Sequence, residues 1–294
     1  MDIGIFGAGS FGQKHINVIQ QNPEFNIIGF FEPNQKKSAE IIKKYNIDNY
    51  QKKEELISKC KAIDITCSTD QHYEMICLGM DFNKHIFVEK PICTSKEEID
   101  LLIKRYENYS QIIQVGHIER YNPTLTNEIQ NLNNISFIKS ERNGILNHRN
   151  ISTPITLDLM IHDIDLITHL MRSKVIKITA KGSEHDVSCQ LLFQNNKKAH
   201  LTSKRATSIT SKRTLTINHT KGEIEIDLMN KSRKHTNLNR EVKEWKPQSE
   251  TNQLAEELVD FKNNVQLNKK PNVDLKVGCQ SLEIALKINN LLKI

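Results

Sequence analysis

The stretch "DIGIFGAGSFG", residues 2–12, decides the fold. An apolar run typical of a buried strand leads directly into a G-x-G-x-x-G pattern that opens a helix-like segment. Glycines at this spacing allow a tight turn, close approach of the backbone to a pyrophosphate and close packing of helix on strand. The N–H groups at the start of such a helix also favour an anion. The stretch predicts a dinucleotide site, and its cofactor-binding residues are Gly7, Gly9, Ser10, Phe11 and Gly12.

A single acid, Glu32, follows the second apolar run twenty residues after Gly12. A carboxylate at this place accepts hydrogen bonds from the ribose hydroxyls of adenosine and repels a 2′-phosphate. Glu32 therefore favours NAD over NADP as the cofactor. The alternative is a glycine turn followed by an acid that is there by chance.

The pattern outward from this stretch separates two domains. Up to residue 117, continuous apolar runs alternate with amphipathic segments, which predicts βαβ units and a parallel, doubly covered sheet. After residue 134, runs with period-2 alternation lack long helices between them, which predicts a mostly antiparallel sheet with one open face. The polar segment 231–250 reads as loop-rich. We expect an α/β protein with an N-terminal Rossmann domain (1–118) and a C-terminal α+β domain (119–294) for substrate binding and oligomerisation, whose last helix could pack back on the first domain.

The segment "LDLMIHDIDLITHLM", residues 157–171, is apolar around most of a helix but carries one polar stripe. At 100° per residue its two acids and two histidines fall within a wedge of about 60°. Asp158 and His162 are four residues apart, and an imidazole held by a carboxylate suits a general base. They are predicted to be catalytic, with Asp165 and His169 as support. The alternatives are ordinary helix decoration and a metal site, but no third ligand has recognisable spacing, so no metal is expected.

Two further motifs follow predicted strands. In "FVEKPI" (87–92), Lys90 stands where ligands bind in doubly wound sheets, and Pro91 could fix it through a rigid peptide. In "VGHIERYNPT" (115–124), Arg120 could meet a phosphate or carboxylate, and Tyr121 and Asn122 could stack on or hydrogen-bond a ring. The alternatives are a surface lysine at a strand end and a domain-linking loop.

Composition restricts the class of protein. Among 294 residues the net charge is +6, but aromatics make up only 6% and the basic residues are scattered, which argues against nucleic acid as a partner. No run approaches the length of a membrane span, and "MDIGIFGAGS" lacks the features of a secretory signal, so a cytoplasmic protein is expected. The six cysteines form no C-x-x-C pair and are expected to be reduced.

These motifs come in an order that resembles the Gfo/Idh/MocA oxidoreductases. The ordered set is "IGIFGAGSFG", an acid after the second strand, "STDQHYE", "VEKP", "GHIERYNP" and "DLMIHDIDL". The resemblance extends to the C-terminal segment that begins "LAEELVDFKNN", and so covers nearly the whole chain. It implies that Lys90 is the catalytic lysine and that Asp158 and His162 face the sugar. It also implies cofactor roles for Thr69 and His72 beside the nicotinamide ribose, and for Glu89, Lys90 and Pro91.

Within the family, "VGHIERYNP" and "MIHDIDL" most resemble the branch that oxidises the 3-hydroxyl of UDP-N-acetylglucosamine ahead of an aminotransferase in diamino-sugar (lipid A type) synthesis. Substrate-binding residues are then Lys90, Arg120, Tyr121, Asn122, Asp158 and His162. The alternatives are a dehydrogenase of another sugar or cyclitol, and a non-catalytic NAD-binding sensor or repressor. The open sheet face favours a homo-oligomer, a dimer or a tetramer.

Overall fold

A computed structural model describes residues 1–147 and 150–294 and divides the chain into two compact units. Unit 1 comprises residues 1–118 and 254–279, and unit 2 comprises residues 119–253 and 280–294. The sequence placed residues 254–279 in the second domain. They belong to unit 1 because Leu258 and Phe261 pack in the same apolar core as Ile5 and Phe87.

Unit 1 is built on a five-stranded, fully parallel sheet. Its strands are β1 (Asp2–Phe6), β2 (Asn26–Phe31), β3 (Ala62–Ile65), β4 (His85–Glu89) and β5 (Ile113–Gly116). The spatial order β2-β1-β3-β4-β5 reverses direction between β1 and β3. Ligands of such sheets bind at the carboxyl ends of the strands beside this reversal. The predicted Rossmann fold is confirmed.

Helices connect these strands, and all but α3 match amphipathic segments of the sequence. They are α1 (Ser10–Gln20), α2 (Gln35–Tyr45), α3 (Lys53–Lys59), α4 (Thr69–Asp81) and α5 (Lys96–Tyr106). At the start of α5, the Ser95 hydroxyl accepts a hydrogen bond from the Glu98 N–H, and the Glu98 carboxylate accepts one from the Ser95 N–H. This capping box explains why the helix begins where it does.

Unit 2 contains an eight-stranded sheet in the order β13-β12-β11-β10-β6-β9-β8-β7. The strands are β6 (Ile135–Ile145), β7 (Val175–Ser183), β8 (Asp186–Phe193), β9 (Lys198–Ala206), β10 (Lys212–His219), β11 (Gly222–Asp227), β12 (Ser232–Asn237) and β13 (Val242–Trp245). All neighbours are antiparallel except β6 and β9, so the prediction of a mostly antiparallel sheet is confirmed.

The polar segment 231–250, which reads as loop-rich, is half strand. It contains β12 and β13, which continue the antiparallel ladder at one end of the sheet. Polar side chains are tolerated there because this end of the sheet is exposed over much of both strands. Arg233 stacks its guanidinium on the Trp245 ring at 4.2 Å, which links the two strands.

Six further helical segments lie in the described residues. They are a 3₁₀ helix (Ile118–Tyr121), α6 (Asn127–Gln130), a π-helical turn (Thr156–Met160) that runs directly into α7 (Ile161–Met171), and the C-terminal α8 (Gln253–Leu267) and α9 (Leu275–Leu292). Among the described residues, none of the helices is both long enough and apolar enough to cross a membrane.

Candidate active site

Unit 1 has a cavity of about 720 Å³ at the carboxyl ends of β1, β2 and β3. The sequence-predicted cofactor residues around it are Gly7, Gly9, Ser10, Phe11 and Glu32. The loop after β3 contributes Thr66, Cys67 and Ser68 to the same wall. The structure thus brings the glycine turn and the predicted ribose acid together around one space.

The glycine turn fits a pyrophosphate. Gly7 has a φ of 97°, and a Cβ there would lie 2.4 Å from the Cα of Cys67, so no other residue is accommodated without a shift. The Thr66 hydroxyl donates a 2.6 Å hydrogen bond to the Gly7 carbonyl and holds the turn. A Cβ at Gly9 would meet no described atom within 4 Å, which leaves the backbone open to a ligand. The N-terminus of α1 therefore can accept the phosphates of a dinucleotide.

Glu32 is fixed by a residue that the sequence did not single out. The side chain of Asn49 accepts a hydrogen bond from the Glu32 N–H at 3.0 Å and donates one to the Glu32 carbonyl at 3.2 Å. The Glu32 carboxylate also accepts a hydrogen bond from the Asn34 N–H at 3.1 Å. Three lysines line the same cavity, Lys37, Lys52 and Lys53, and Lys53 is ion-paired with Glu74. The cavity lining therefore carries three acids (Glu32, Glu54 and Glu74) and three lysines, and Glu32 is the acid held beside the glycine turn.

His72 does not face the cavity as the resemblance implied. It is buried, with Nδ1 2.8 Å from the Pro91 carbonyl and Nε2 3.1 Å from the Cys67 carbonyl. Burial lowers the pKa of His72. A neutral imidazole carries one N–H and donates to one of these two carbonyls, so His72 lies between the loop after β3 and the loop after β4 rather than in the wall of the cavity. Thr69, half-buried, is the first residue of α4.

The predicted catalytic lysine follows β4 directly. Lys90 is half-buried, its peptide bond to Pro91 is cis, and its backbone N–H lies 3.3 Å from the Glu89 carboxylate. Glu89 in turn is buried, with Oε1 3.3 Å from Nε2 of His15. Neighbouring groups therefore hold the backbone of the lysine.

His15 is a second residue that the sequence did not single out. It lies on α1, fully buried, with Nδ1 2.9 Å from the Asp64 carboxylate on β3. Burial lowers the pKa of His15, but the Asp64 and Glu89 carboxylates outweigh it and raise the pKa to about 10. A charged imidazole therefore joins the cofactor-binding helix to the residue beside Lys90.

This pKa predicts a pH-dependent contribution to stability. Because the pKa of His15 is about 10 when folded and about 6.5 when unfolded, its contribution is complete below pH 6.5 and is lost as pH rises through about 10. His15→Gln should lower the melting temperature by about 5 °C at pH 6.5, and the difference from wild type should narrow toward pH 10. Thermal melts across this range measure it. In the control His219→Gln, at the end of β10, the difference in melting temperature from wild type should be small and independent of pH. A difference for His15→Gln that grows as pH rises would contradict the assignment.

In unit 2, the predicted catalytic helix begins with an irregular turn. The Ile161 N–H bonds to the Thr156 carbonyl, five residues back rather than four, so residues 156–160 are π-helical. The assumption of 100° per residue across the whole stripe is therefore wrong. Asp158 lies in the π turn and His162 is the second residue of the regular helix, both half-buried. Irregular turns of this kind recur at functional sites.

The acids of this helix are paired with arginines. Asp158 Oδ2 lies 3.1 Å from Arg205 on β9, and Asp163 Oδ1 lies 2.7 Å from Arg142 on β6. Arg142 and Arg205 were not identified from the sequence. Strand alternation could have signalled them, since both occupy inward-facing positions of their strands.

Arg120 is paired with Asp165, which weighs against its predicted contact with a diphosphate. The Arg120 guanidinium makes a bidentate pair with the Asp165 carboxylate, at 2.8 Å for Nη2 and Oδ1, and its side chain is only 9% exposed. Asp165 thus takes the Nε and Nη2 donors and balances the charge of Arg120. Burial and the charge of Arg120 lower the pKa of His169 to about 4, so His169 is neutral at neutral pH.

Asn122 also has a structural role rather than the predicted ring contact. It is 2% exposed, donates a 2.9 Å hydrogen bond to the Leu228 carbonyl and accepts a 2.7 Å hydrogen bond from the Thr124 hydroxyl. Tyr121, at the end of the 3₁₀ helix, is half-buried. Among residues 1–147 and 150–294, no three His, Cys, Asp or Glu side chains are grouped so as to hold a metal ion.

Comparison with known families agrees with this geometry. Residues 1–117 match the Gfo/Idh/MocA family model, which is described as an oxidoreductase family with an NAD-binding Rossmann fold. The match agrees with the resemblance over these residues, which hold the glycine turn, Glu32, "STDQHYE" and "VEKP".

Two characterised relatives act on different substrates. UDP-N-acetylglucosamine 3-dehydrogenase of Acidithiobacillus ferrooxidans is 26% identical over 187 residues, 62% of this chain and 58% of the relative. Myo-inositol 2-dehydrogenase of Thermotoga maritima is 24% identical over 195 residues, again 62% and 58%. The matches thus span less than two thirds of either relative. A solved structure of the Acidithiobacillus enzyme superposes with a TM-score of 0.93, at 22% identity, over 100% of this chain and 98% of that one, which shows a shared fold.

Proposed function

We propose that this chain, whose first 117 residues match the Gfo/Idh/MocA oxidoreductases, uses NAD to oxidise the 3-hydroxyl of UDP-N-acetylglucosamine to a ketone. The observation that carries the proposal is the joint presence of Lys90 at the carboxyl end of β4 and of Asp158 and His162 around the π turn. The name of the Acidithiobacillus relative supports the substrate, and that of the Thermotoga relative supports inositol as the rival.

The proposed roles follow from the chemistry of the side chains. Oxidising an alcohol requires a group that removes the hydroxyl proton and a group that stabilises the developing alkoxide. In the proposal His162 accepts the proton, Asp158 orients His162, and the Lys90 ammonium stabilises the alkoxide. NAD, when bound, accepts the hydride. Arg120 and Asn122 are left out of this set because their polar groups are engaged within unit 2.

The proposed cofactor rests on Glu32. Its backbone is held by Asn49 on both its N–H and its carbonyl, so the carboxylate is fixed beside the glycine turn, where it suits ribose hydroxyls. The lysines of the same cavity are the reason to measure NADP as well. The 3-keto product suits an aminotransferase as the next enzyme, as in diamino-sugar (lipid A type) synthesis, and a homo-oligomer formed through the open sheet face belongs to the same proposal.

The test is NADH formation by the purified protein with UDP-N-acetylglucosamine, myo-inositol and glucose 6-phosphate, each with NAD and with NADP. We expect turnover with the UDP-sugar and preference for NAD. UDP alone should raise the melting temperature, because a ligand that binds only the folded state stabilises it. Inositol should have no comparable effect on the melting temperature.

Two outcomes would overturn the proposal separately. Oxidation of inositol or of the sugar phosphate, with no turnover of the UDP-sugar and no shift with UDP, would refute the substrate. Full activity of His162→Ala would refute the mechanism while leaving the substrate in place.

A further inference from the structure

Arg205 is an almost fully buried arginine that the sequence did not bring to attention. It occupies an inward-facing position of β9, together with Leu201 and Ser203, and its side chain is 1% exposed. A buried guanidinium is costly unless its donors are met. The identity of its partners therefore indicates what it is there to hold.

Four partners surround this guanidinium, all within unit 2. Nη1 donates to the Asn150 carbonyl at 2.7 Å and to Asp158 Oδ2 at 3.1 Å. Nη2 donates to the Thr153 carbonyl at 2.8 Å and lies 3.2 Å from Nδ1 of His185. One side chain thus binds two backbone carbonyls, a carboxylate and an imidazole.

Three of these four contacts converge on the start of the helix that carries Asp158 and His162. Asn150 and Thr153 belong to the segment that leads into the π turn, and the Pro154 carbonyl accepts hydrogen bonds from the N–H groups of Leu157 and Asp158 at 3.0 Å. Arg205 therefore holds both the backbone before the turn and the carboxylate that the turn carries. A planar fork with several donors can fix both at once, which a lysine ammonium cannot do equally well.

We propose that Arg205 is a positioning residue, which fixes the Asp158 carboxylate and the segment 150–153 so that the π turn keeps its shape. The inference rests on the proposed function, in which Asp158 orients His162. Arg205 acts through Asp158, because a side chain that is 1% exposed does not itself reach a substrate. Its removal therefore lowers kcat and leaves KM nearly unchanged.

The test compares Arg205→Met, Arg205→Lys, Asp158→Asn and the double variant Arg205→Met/Asp158→Asn in the full-length protein. The assay uses whichever of UDP-N-acetylglucosamine, myo-inositol and glucose 6-phosphate the wild type oxidises fastest. We expect kcat to fall about 30-fold in Arg205→Met and about 5-fold in Arg205→Lys, with KM within about 3-fold. The double variant should be no slower than Asp158→Asn, because the two residues act as one unit.

Lys204→Met is the matched control. Lys204 is the neighbouring residue on β9, but it points outward and pairs with Asp186 at the surface. It should retain kcat within about 2-fold, as expected when an exposed pair is removed. Hydrogen exchange adds a measurement that needs no substrate. The amides of residues 150–158 should exchange faster than in wild type in Arg205→Met and at the wild-type rate in Lys204→Met.

The outcomes separate this inference from the proposed function. Unchanged exchange in Arg205→Met, or losses of kcat that multiply in the double variant, would overturn the role of Arg205. Full activity of Asp158→Asn would instead refute the proposed catalytic set. If none of the three substrates is oxidised, the proposed function fails, and hydrogen exchange alone decides whether Arg205 holds the segment.

Discussion

Lys90→Met is expected to lower kcat by about 1,000-fold while leaving the affinity for NAD and the unfolding midpoint close to those of wild type. The lysine follows β4 at the carboxyl ends of the strands, where ligands of such sheets bind, and its charge is proposed to stabilise an alkoxide. Methionine keeps the length of the side chain but removes that charge. Steady-state kinetics, NAD titration and thermal melts measure the three quantities.

Lys61→Met is a suitable control for this loss. Lys61 immediately precedes β3, so it lies at the amino ends of the strands, opposite the ligand-binding end, and it is exposed. It should keep activity within about 2-fold, as expected for an exposed charge away from the site. Lys90→Arg distinguishes stabilisation by charge from proton transfer, because a guanidinium keeps the charge but cannot release a proton. More than a tenth of wild-type kcat in Lys90→Met would remove Lys90 from the proposed catalytic set.

The parallel sheet of unit 1 could be predicted because its strands are short, mostly apolar runs without the period-2 alternation of a half-exposed sheet. In β3 and β5 every residue is buried, so these runs fit only a sheet covered by helices on both sides. Helix α3 was missed because only Leu56 and Ile57 of its seven residues are buried, too few to show a period. Strands β12 and β13 were missed for a related reason, since their exposed position needs no apolar alternation.

Asp158 and Asp165 of the helix predicted to be catalytic were singled out from the sequence, but Asp163 and the pairing of all three acids with arginines were not. The helical period shows which face of a helix an acid lies on. The register of the sheet decides which strand residue lies opposite that acid. Arg205 faces inward on β9 because Ala199, Leu201 and Ser203 do so at every second position. The pairing of β6 with β9 then aligns Arg142 with Ser203 and places both strands side by side. Such a pairing joins residues far apart in sequence, and no local pattern encodes it.

The same limitation explains why the partner of Arg120 was not foreseen. An arginine in a loop after a strand has the chemistry to bind a phosphate, and nothing nearby in sequence competes for it. Asp165 lies 45 residues further on and takes the Nε and Nη2 donors of Arg120, with the Ser281 hydroxyl 3.5 Å from the same carboxylate. An acid on a buried helix face therefore competes with a ligand for a distant arginine.

Arg142→Met is expected to destabilise unit 2 by about 3–5 kcal/mol, because it leaves the buried Asp163 carboxylate without its cation and leaves Glu119 with Arg213 alone. The Arg142 side chain is 1% exposed, with Nη1 2.9 Å from Glu119 and Nη2 2.7 Å from Asp163. Burial raises the pKa of Asp163, while Arg142 and Arg213 overcome the same effect at Glu119 and lower its pKa. Urea denaturation followed by circular dichroism measures the loss.

Lys212→Met provides the contrast on an adjacent strand. Lys212 lies 2.6 Å from Glu141 across β10 and β6, but both side chains are partly exposed, so its removal should cost only about 0.5 kcal/mol.

The triple variant Arg142→Met/Glu119→Gln/Asp163→Asn tests whether charge causes the loss in Arg142→Met. If repulsion and desolvation of the two carboxylates are the cause, the triple variant should recover part of the stability, because neutral amides need no cation. The deficit of Arg142→Met should also shrink as pH falls from 7 to 5, since protonation neutralises buried carboxyls. A deficit that is independent of pH and unrelieved by the amides would show instead that the packing of the long side chain, rather than its charge, supports the helix.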